Sequence, residues 1–214
     1  MAEMPGMQPQ ADVWSLGYLV PTFTMWVVMM VAMMLPSAAP MILLFARVAQ
    51  GAGPALNSTL FVASYLIVWA LFSLAATVAQ AALISAGILS DMTLALGDGG
   101  MAGGLLVLVG LYQLSPLKEA CLDACRAPLS FILRLWRPGV AGTLRLGFAH
   151  GTYCVGCCWG LMLLLFVGGV MNIAWIVGLA LLVLVEKVAP LNLRKPLSVL
   201  LVLGGAALAL SALL

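Results

Sequence analysis

Apolar residues fill this chain in long blocks, and polar residues gather in the short gaps between them. Charge-free stretches of roughly 18 residues or more recur, long enough for the hydrocarbon slab of a bilayer at about 30 Å, where a soluble core would show only short apolar runs. Unbroken apolarity, with Gly and Pro as punctuation, predicts six membrane spans at 20–46, 58–86, 101–121, 145–168, 171–189 and 196–213. The expectation is an all-α, polytopic membrane helix bundle. It forms one domain over 1–214, with a short outer tail at 1–19 and a cytoplasmic loop at 122–144. The second segment is too long for one upright helix, because 57–90 carries no charge; it either tilts or ends in an interfacial stretch. The link Gly168-Gly-Val-Met-Asn172 is short enough to predict a tight antiparallel hairpin between spans four and five.

Composition agrees. The chain is 64% hydrophobic and 7% charged, against about 25% charged in a soluble globule. Its start, MAEMPGMQPQADVW, has no basic region, and the first apolar segment is longer than a signal-peptide core, so the first helix is expected to stay in the mature protein. Charge placement then orients the bundle. Arg47 follows span one. Lys118, Arg126, Arg134, Arg137 and Arg145 lie around the connection of spans three and four, and Lys187, Arg194 and Lys195 lie between five and six. The opposite side receives Glu3, Asp12, Asp91 and Asp98. The positive-inside rule puts the basic side in the cytoplasm and both termini on the outer, periplasmic side of a bacterial inner membrane. Within the cytoplasmic loop, PLSFILRLWRPG (128–139) mixes large apolar residues with two arginines, as a short helix lying on the membrane interface would.

One apolar block carries unexpected chemistry. HGTYCVGCCWGLM (150–162) holds the only histidine and three of the five cysteines. At about 100° per residue, His150, Cys154, Cys157 and Cys158 fall within an arc of about 100° on one helix face, and Met162 extends the row by a turn. Cys121 and Cys125 stand four apart at the cytoplasmic end of span three, beyond Pro116, which should bend or loosen that helix. Thiolate and imidazole donors suit zinc and copper, and thioether tilts the choice toward copper(I); a cytoplasmic-side site keeps the thiols reduced. Span one adds Met25, Met29 and Met33 in one i, i+4 series and Met30 and Met34 in another, a possible soft-metal path beginning near the outer face, with Met1, Met4 and Met7 as an outer cluster. The plainer account is that small thiols and flexible thioethers simply fill gaps between helices.

Other polar residues have structural readings. Pro36 and Pro40 should break or kink span one and leave a cavity beside freed carbonyls. Glu186 and Lys187 read as an interface anchor or ion pair in preference to a ligand or proton relay, Asn172 and Gln113 as groups that hydrogen-bond between helices, and Gly204, Gly205 and the alanines of span six as a close-packing surface.

Taken together, WVVMMVAMMLPSAAP, YQLSPLKEACLDACRAP, HGTYCVGCCWGLMLLLFVGGVMNIAW and the later Glu186–Lys187 pair resemble a bacterial family of integral membrane proteins predicted to bind metal. The resemblance spans about residues 25–190. It implies a multi-span membrane protein with Cys121, Cys125, His150, Cys154, Cys157 and Cys158 as candidate ligands.

The function expected first is membrane-embedded handling of copper(I), with zinc as the other candidate ion, and with metal held, transferred or delivered to another membrane subunit or a metal chaperone. No P-loop or DKTG-like site exists to drive transport, nothing points to nucleic acid, and an enzyme is only the minority expectation. Two other classes stay open. One is an accessory subunit of a larger membrane complex with a structural metal site. The other is a thiol oxidoreductase using the Cys154–Cys157 CxxC pair, against which stands its position within a helix, since exchange needs an exposed thiolate.

Overall fold

The computed structural model describes residues 13–49, 53–90, 94–189 and 192–212. The described residues form helices α1 (Leu16–Val48), α2 (Pro54–Ser85), α3 (Gly99–Gln113), α4 (Pro116–Arg126), α5 (Pro128–Leu135), α6 (Gly139–Leu163), α7 (Leu165–Gly168), α8 (Ile173–Val188) and α9 (Arg194–Ser211). No strand ladder forms among them, only an isolated bridge between Leu89 and Leu96, so the all-helical expectation holds. Glu3, Asp12, Asp91 and the outer cluster Met1, Met4 and Met7 lie outside the described residues.

Four stretches are long and apolar enough to cross a membrane: Leu16–Val48, Ala55–Ser85, Gly139–Gly168 and Arg194–Ser211. A fifth exists if α3 and α4, bent by 64° at their junction, are taken as one. Helix α8, with 16 residues, is shorter than the roughly 20 that an upright crossing needs.

The third segment corrects the expected boundary, since its helix stops at Gln113 rather than at 121. Pro116 is the cause. The residue before a proline is pushed out of the helical region, and Ser115 is extended; it then caps α4 by accepting from Lys118 N, with Pro116 in the first turn. Carbonyls left open by the break are taken up from the far end of the chain: Arg194 donates to Gln113 O at 3.0 Å and to Ser115 O at 3.3 Å. The stretch 122–144 is correspondingly not one loop but the end of α4, all of α5 and the start of α6. In α5, Phe131 and Ile132 are buried while Leu129 and Leu133 face outward.

Pro36 and Pro40 do not end α1, which continues through both. Helix α2 ends at Ser85, and the chain after it folds back so that Leu89 and Leu94 join the core and Leu96 N donates to Phe166 O. The α7–α8 hairpin is as tight as its sequence suggests. Gly169 takes a positive φ, Trp175 Nε1 donates to Leu164 O at 2.8 Å, and the indole fills the space a β-carbon on Gly168 would need. Asn172 caps α8 rather than bridging helices, and the buried Gln113 amide has no hydrogen-bond partner.

Close backbone approach sets the helix pairs. Helices α3 and α9 pack along their lengths, with Gly103 against Gly205 and with Ser198 Oγ donating to Gly110 O at 2.7 Å; Gly204 faces open space and takes no part. Gly147 and Gly151, four apart on α6, admit α2, with the Ser64 hydroxyl resting on Gly147 and Val68 on Gly151. Gly147→Ala is therefore expected to destabilise by roughly 1–3 kcal/mol through overpacking. An unchanged unfolding midpoint in detergent would contradict this contact. Trp26, Met30, Met34, Tyr65, Trp69, Cys154, Cys157, Cys158 and Met162 share one buried core, whereas Val28, Leu43, Leu71, Leu108, Leu200 and Leu203 cover the outside.

Candidate metal centre

Helix α6 presents His150, Cys154, Cys157, Cys158 and Met162 inward, all buried. They meet α1 through Met34, α2 through Tyr65, α4 through Cys125 and α8 through Lys187. The one-arc arrangement read from the spacing thus becomes one wall of the core.

The sulfurs stand in pairs. Cys125 Sγ is 3.9 Å from Cys157 Sγ, bringing the α4 cysteine onto the α6 row. Cys158 Sγ is 3.9 Å from Met34 Sδ, so the thioether stripe of α1 ends on a thiol. With metal–thiolate bonds of about 2.3 Å, two sulfurs 3.9 Å apart subtend about 116° at a shared ion, between tetrahedral and trigonal. Cys157 and Cys158 also donate back to Cys154 O, at 3.1 and 2.8 Å, the local bonding that small polar side chains adopt within helices. Among the described residues, no three His, Cys, Asp or Glu side chains converge into a metal-holding group. The sulfurs are adjacent but not yet gathered on one point.

Two candidate ligands stand apart. Cys121 packs on Gly156, its Sγ 2.7 Å from where a β-carbon would be. His150 sits in an aromatic box, stacked on Phe61 and Tyr65 and edge-on to Phe131; it is buried, and neither ring nitrogen has a hydrogen-bond partner among the described residues. It nevertheless borders a cavity of about 120 Å3 that is also lined by Ser37, Pro40, Met41, Cys125, Arg126, Pro128, Lys187 and Val188. Of the two prolines beside which a cavity was expected, Pro40 lines it and Pro36 does not. Of the methionine stripe, Met29, Met30 and Met33 are buried in the core and Met25 packs against it.

Lys187 departs most from its expected role. It is 7% exposed, and its ammonium donates to Cys154 Sγ at 2.9 Å and to Ser37 Oγ at 3.1 Å. A surface anchor does neither. Glu186 forms an ion pair as expected, but a buried one, with Lys118 Nζ at 2.8 Å. Tyr65 was missed altogether. Its hydroxyl lies 3.2 Å from Cys154 Sγ and donates to Met34 O at 3.3 Å. A phenol in a charge-free apolar segment needs a partner when buried, and that was the available signal.

The family model described as PpoB2, a copper chaperone, matches residues 23–210, which covers the helical core from α1 into α9. The chain belongs to this copper chaperone family. No curated protein and no solved structure matches it. For a copper chaperone, the paired thiols and thioether are an apt donor set, since soft sulfur ligands favour copper(I).

Proposed function

We propose that this copper chaperone works within a bacterial inner membrane, holding copper(I) in its sulfur layer for transfer to a recipient protein. All nine basic residues fall on one side of a six-segment reading, which supports cytoplasmic connections after segments one, three and five and both termini outside. The apolar outer surface supports lipid contact, and the short α8 fits as a segment buried against its neighbours at its charged end. The observation that carries the metal reading is the pair of 3.9 Å sulfur contacts, Cys125–Cys157 and Cys158–Met34. Rotation of the thiols about χ1 would let Cys154, Cys157, Cys158 and Cys125 share an ion, with His150 and Cys121 as the remaining donors. Met25, Met29, Met30, Met33 and Met34, with Met162 deeper in the row, supply thioethers along the approach. Zinc is the competing ion for such thiols.

Copper analysis tests this. Protein purified anaerobically in detergent after copper(I) loading is expected to retain near-stoichiometric copper, and the Cys154→Ser/Cys157→Ser variant to fall to background while keeping its helical circular dichroism. A wild type that holds no copper, or cycles instead through a trapped Cys154–Cys157 disulfide without metal, would overturn the reading.

A further inference from the structure

We propose that copper(I) enters and leaves the sulfur layer as a small anionic copper–thiolate complex, exchanged through the cavity between Cys125, His150, Arg126 and Lys187. This rests on the copper reading above and names the form in which the cargo arrives.

The charge of the cavity is the first argument. Among the described residues its lining holds two cations, Arg126 and Lys187, and no Asp or Glu. A low-dielectric recess lined by one sign of charge concentrates ions of the other sign and depletes its own, so a free copper cation meets a barrier there and an anionic complex does not. Copper(I) held by two thiolates carries one net negative charge before any charge on the carrier is added. The lining is also held in place. Lys187 bonds Cys154 Sγ and Ser37 Oγ, and Arg126 Nε donates to Glu186 O at 2.9 Å.

Donor placement is the second argument. Cys125 borders the cavity on one side and touches Cys157 on the other, at 3.9 Å, which makes it the first thiol an incoming complex meets and the link to the inner row. Beside it, His150 is buried with both ring nitrogens unpartnered, an open cost for an imidazole that only packs. A copper complex entering the cavity gives it a ligand to bind.

The exchange balances without an oxidant. In the first step [Cu(SR)2]− reacts with the Cys125 thiol: a bond from copper to Cys125 Sγ forms, one Cu–SR bond breaks, and the Cys125 proton leaves on the released RSH. Repetition at Cys157 releases the second RSH and leaves copper between Cys125 and Cys157, still as Cu(I) and still with one negative charge, which Lys187 and Arg126 offset. The reverse sequence unloads it.

The test uses three copper(I) bis-thiolate donors that differ in the charge of the carrier: 2-mercaptoethanesulfonate, 2-mercaptoethanol and 2-aminoethanethiol. Loading of the full-length protein in detergent is followed anaerobically by stopped flow at low salt. The expected order is sulfonate, then hydroxyl, then ammonium, with about tenfold or more between the extremes. The spread should shrink in about 1 M salt, where the screening length is about 3 Å. Lys187→Arg should keep the preference, and Lys187→Met should reduce it severalfold. Equal rates from all three donors, or a faster ammonium donor, overturn the inference whatever the variants do, because the wild type alone decides it. If the protein takes up copper from all three at equal rates, only the anionic route fails; if it ends copper-free with every donor, the copper reading fails with it.

Discussion

Glu186→Leu is expected to cost about 3–5 kcal/mol of stability, because it leaves the Lys118 ammonium buried without its partner. The pair is 2.8 Å apart, and both side chains are almost fully enclosed. It joins α4 to α8, and Arg126, about two turns further along α4, makes a second connection to the same residue by donating to the backbone carbonyl of Glu186. These two attachments fix the helix of Cys125 relative to the helix of Lys187. The single variant should therefore lose both its unfolding midpoint and much of its copper. Joining it to Lys118→Met removes both charges together, and apolar replacement of a whole buried pair is often neutral or better. The double variant is expected to regain most of the lost stability in denaturant unfolding in detergent. A double variant no better than the single one would show that the pair does not govern this junction.

Tyr65→Phe is expected to weaken copper(I) binding by about 10- to 100-fold, the usual effect of removing a group that orients a metal ligand. Its hydroxyl is the only part of the ring lost, and that atom lies against Cys154 Sγ and Met34 O. The ring itself stays stacked on His150, so packing is kept and stability should fall by only about 1 kcal/mol, the contribution of one hydrogen bond. Competition against a chromophoric copper(I) chelator separates the two effects. Unchanged copper affinity together with lowered stability would make Tyr65 a structural residue and remove it from the site.

How much of this was legible in the sequence differs from residue to residue. Helical periodicity was enough to put His150, Cys154, Cys157 and Cys158 on one inward face, because the period is a property of the backbone and holds whatever surrounds it. It also placed Met34 on the stripe that meets Cys158. It could not separate His150 from the sulfurs, since the aromatic box of Phe61, Tyr65 and Phe131 draws on helices distant in sequence. Pro116 announced a disturbance, but whether the helix bends or breaks depends on a capping residue and on Arg194, which lies far along the chain. Lys187 was misread for a related reason. Hydropathy assigns a charge near the end of an apolar block to the interface, whereas a thiol and a hydroxyl from two other helices receive it inside. The glycine contacts at Gly103 and Gly147 likewise depend on what each helix meets, whereas Gly205 was legible as close-packing surface.

The elbow between α3 and α4 is closed by a helix some eighty residues further along the chain. Arg194, at the first turn of α9, holds the two carbonyls at the bend, and the rest of α9 lies along α3. The arm bearing Cys125 gains this support only once α9 has been made. A fragment ending before Arg194 would therefore leave the two carbonyls of the bend uncovered and the Cys125 arm without that brace.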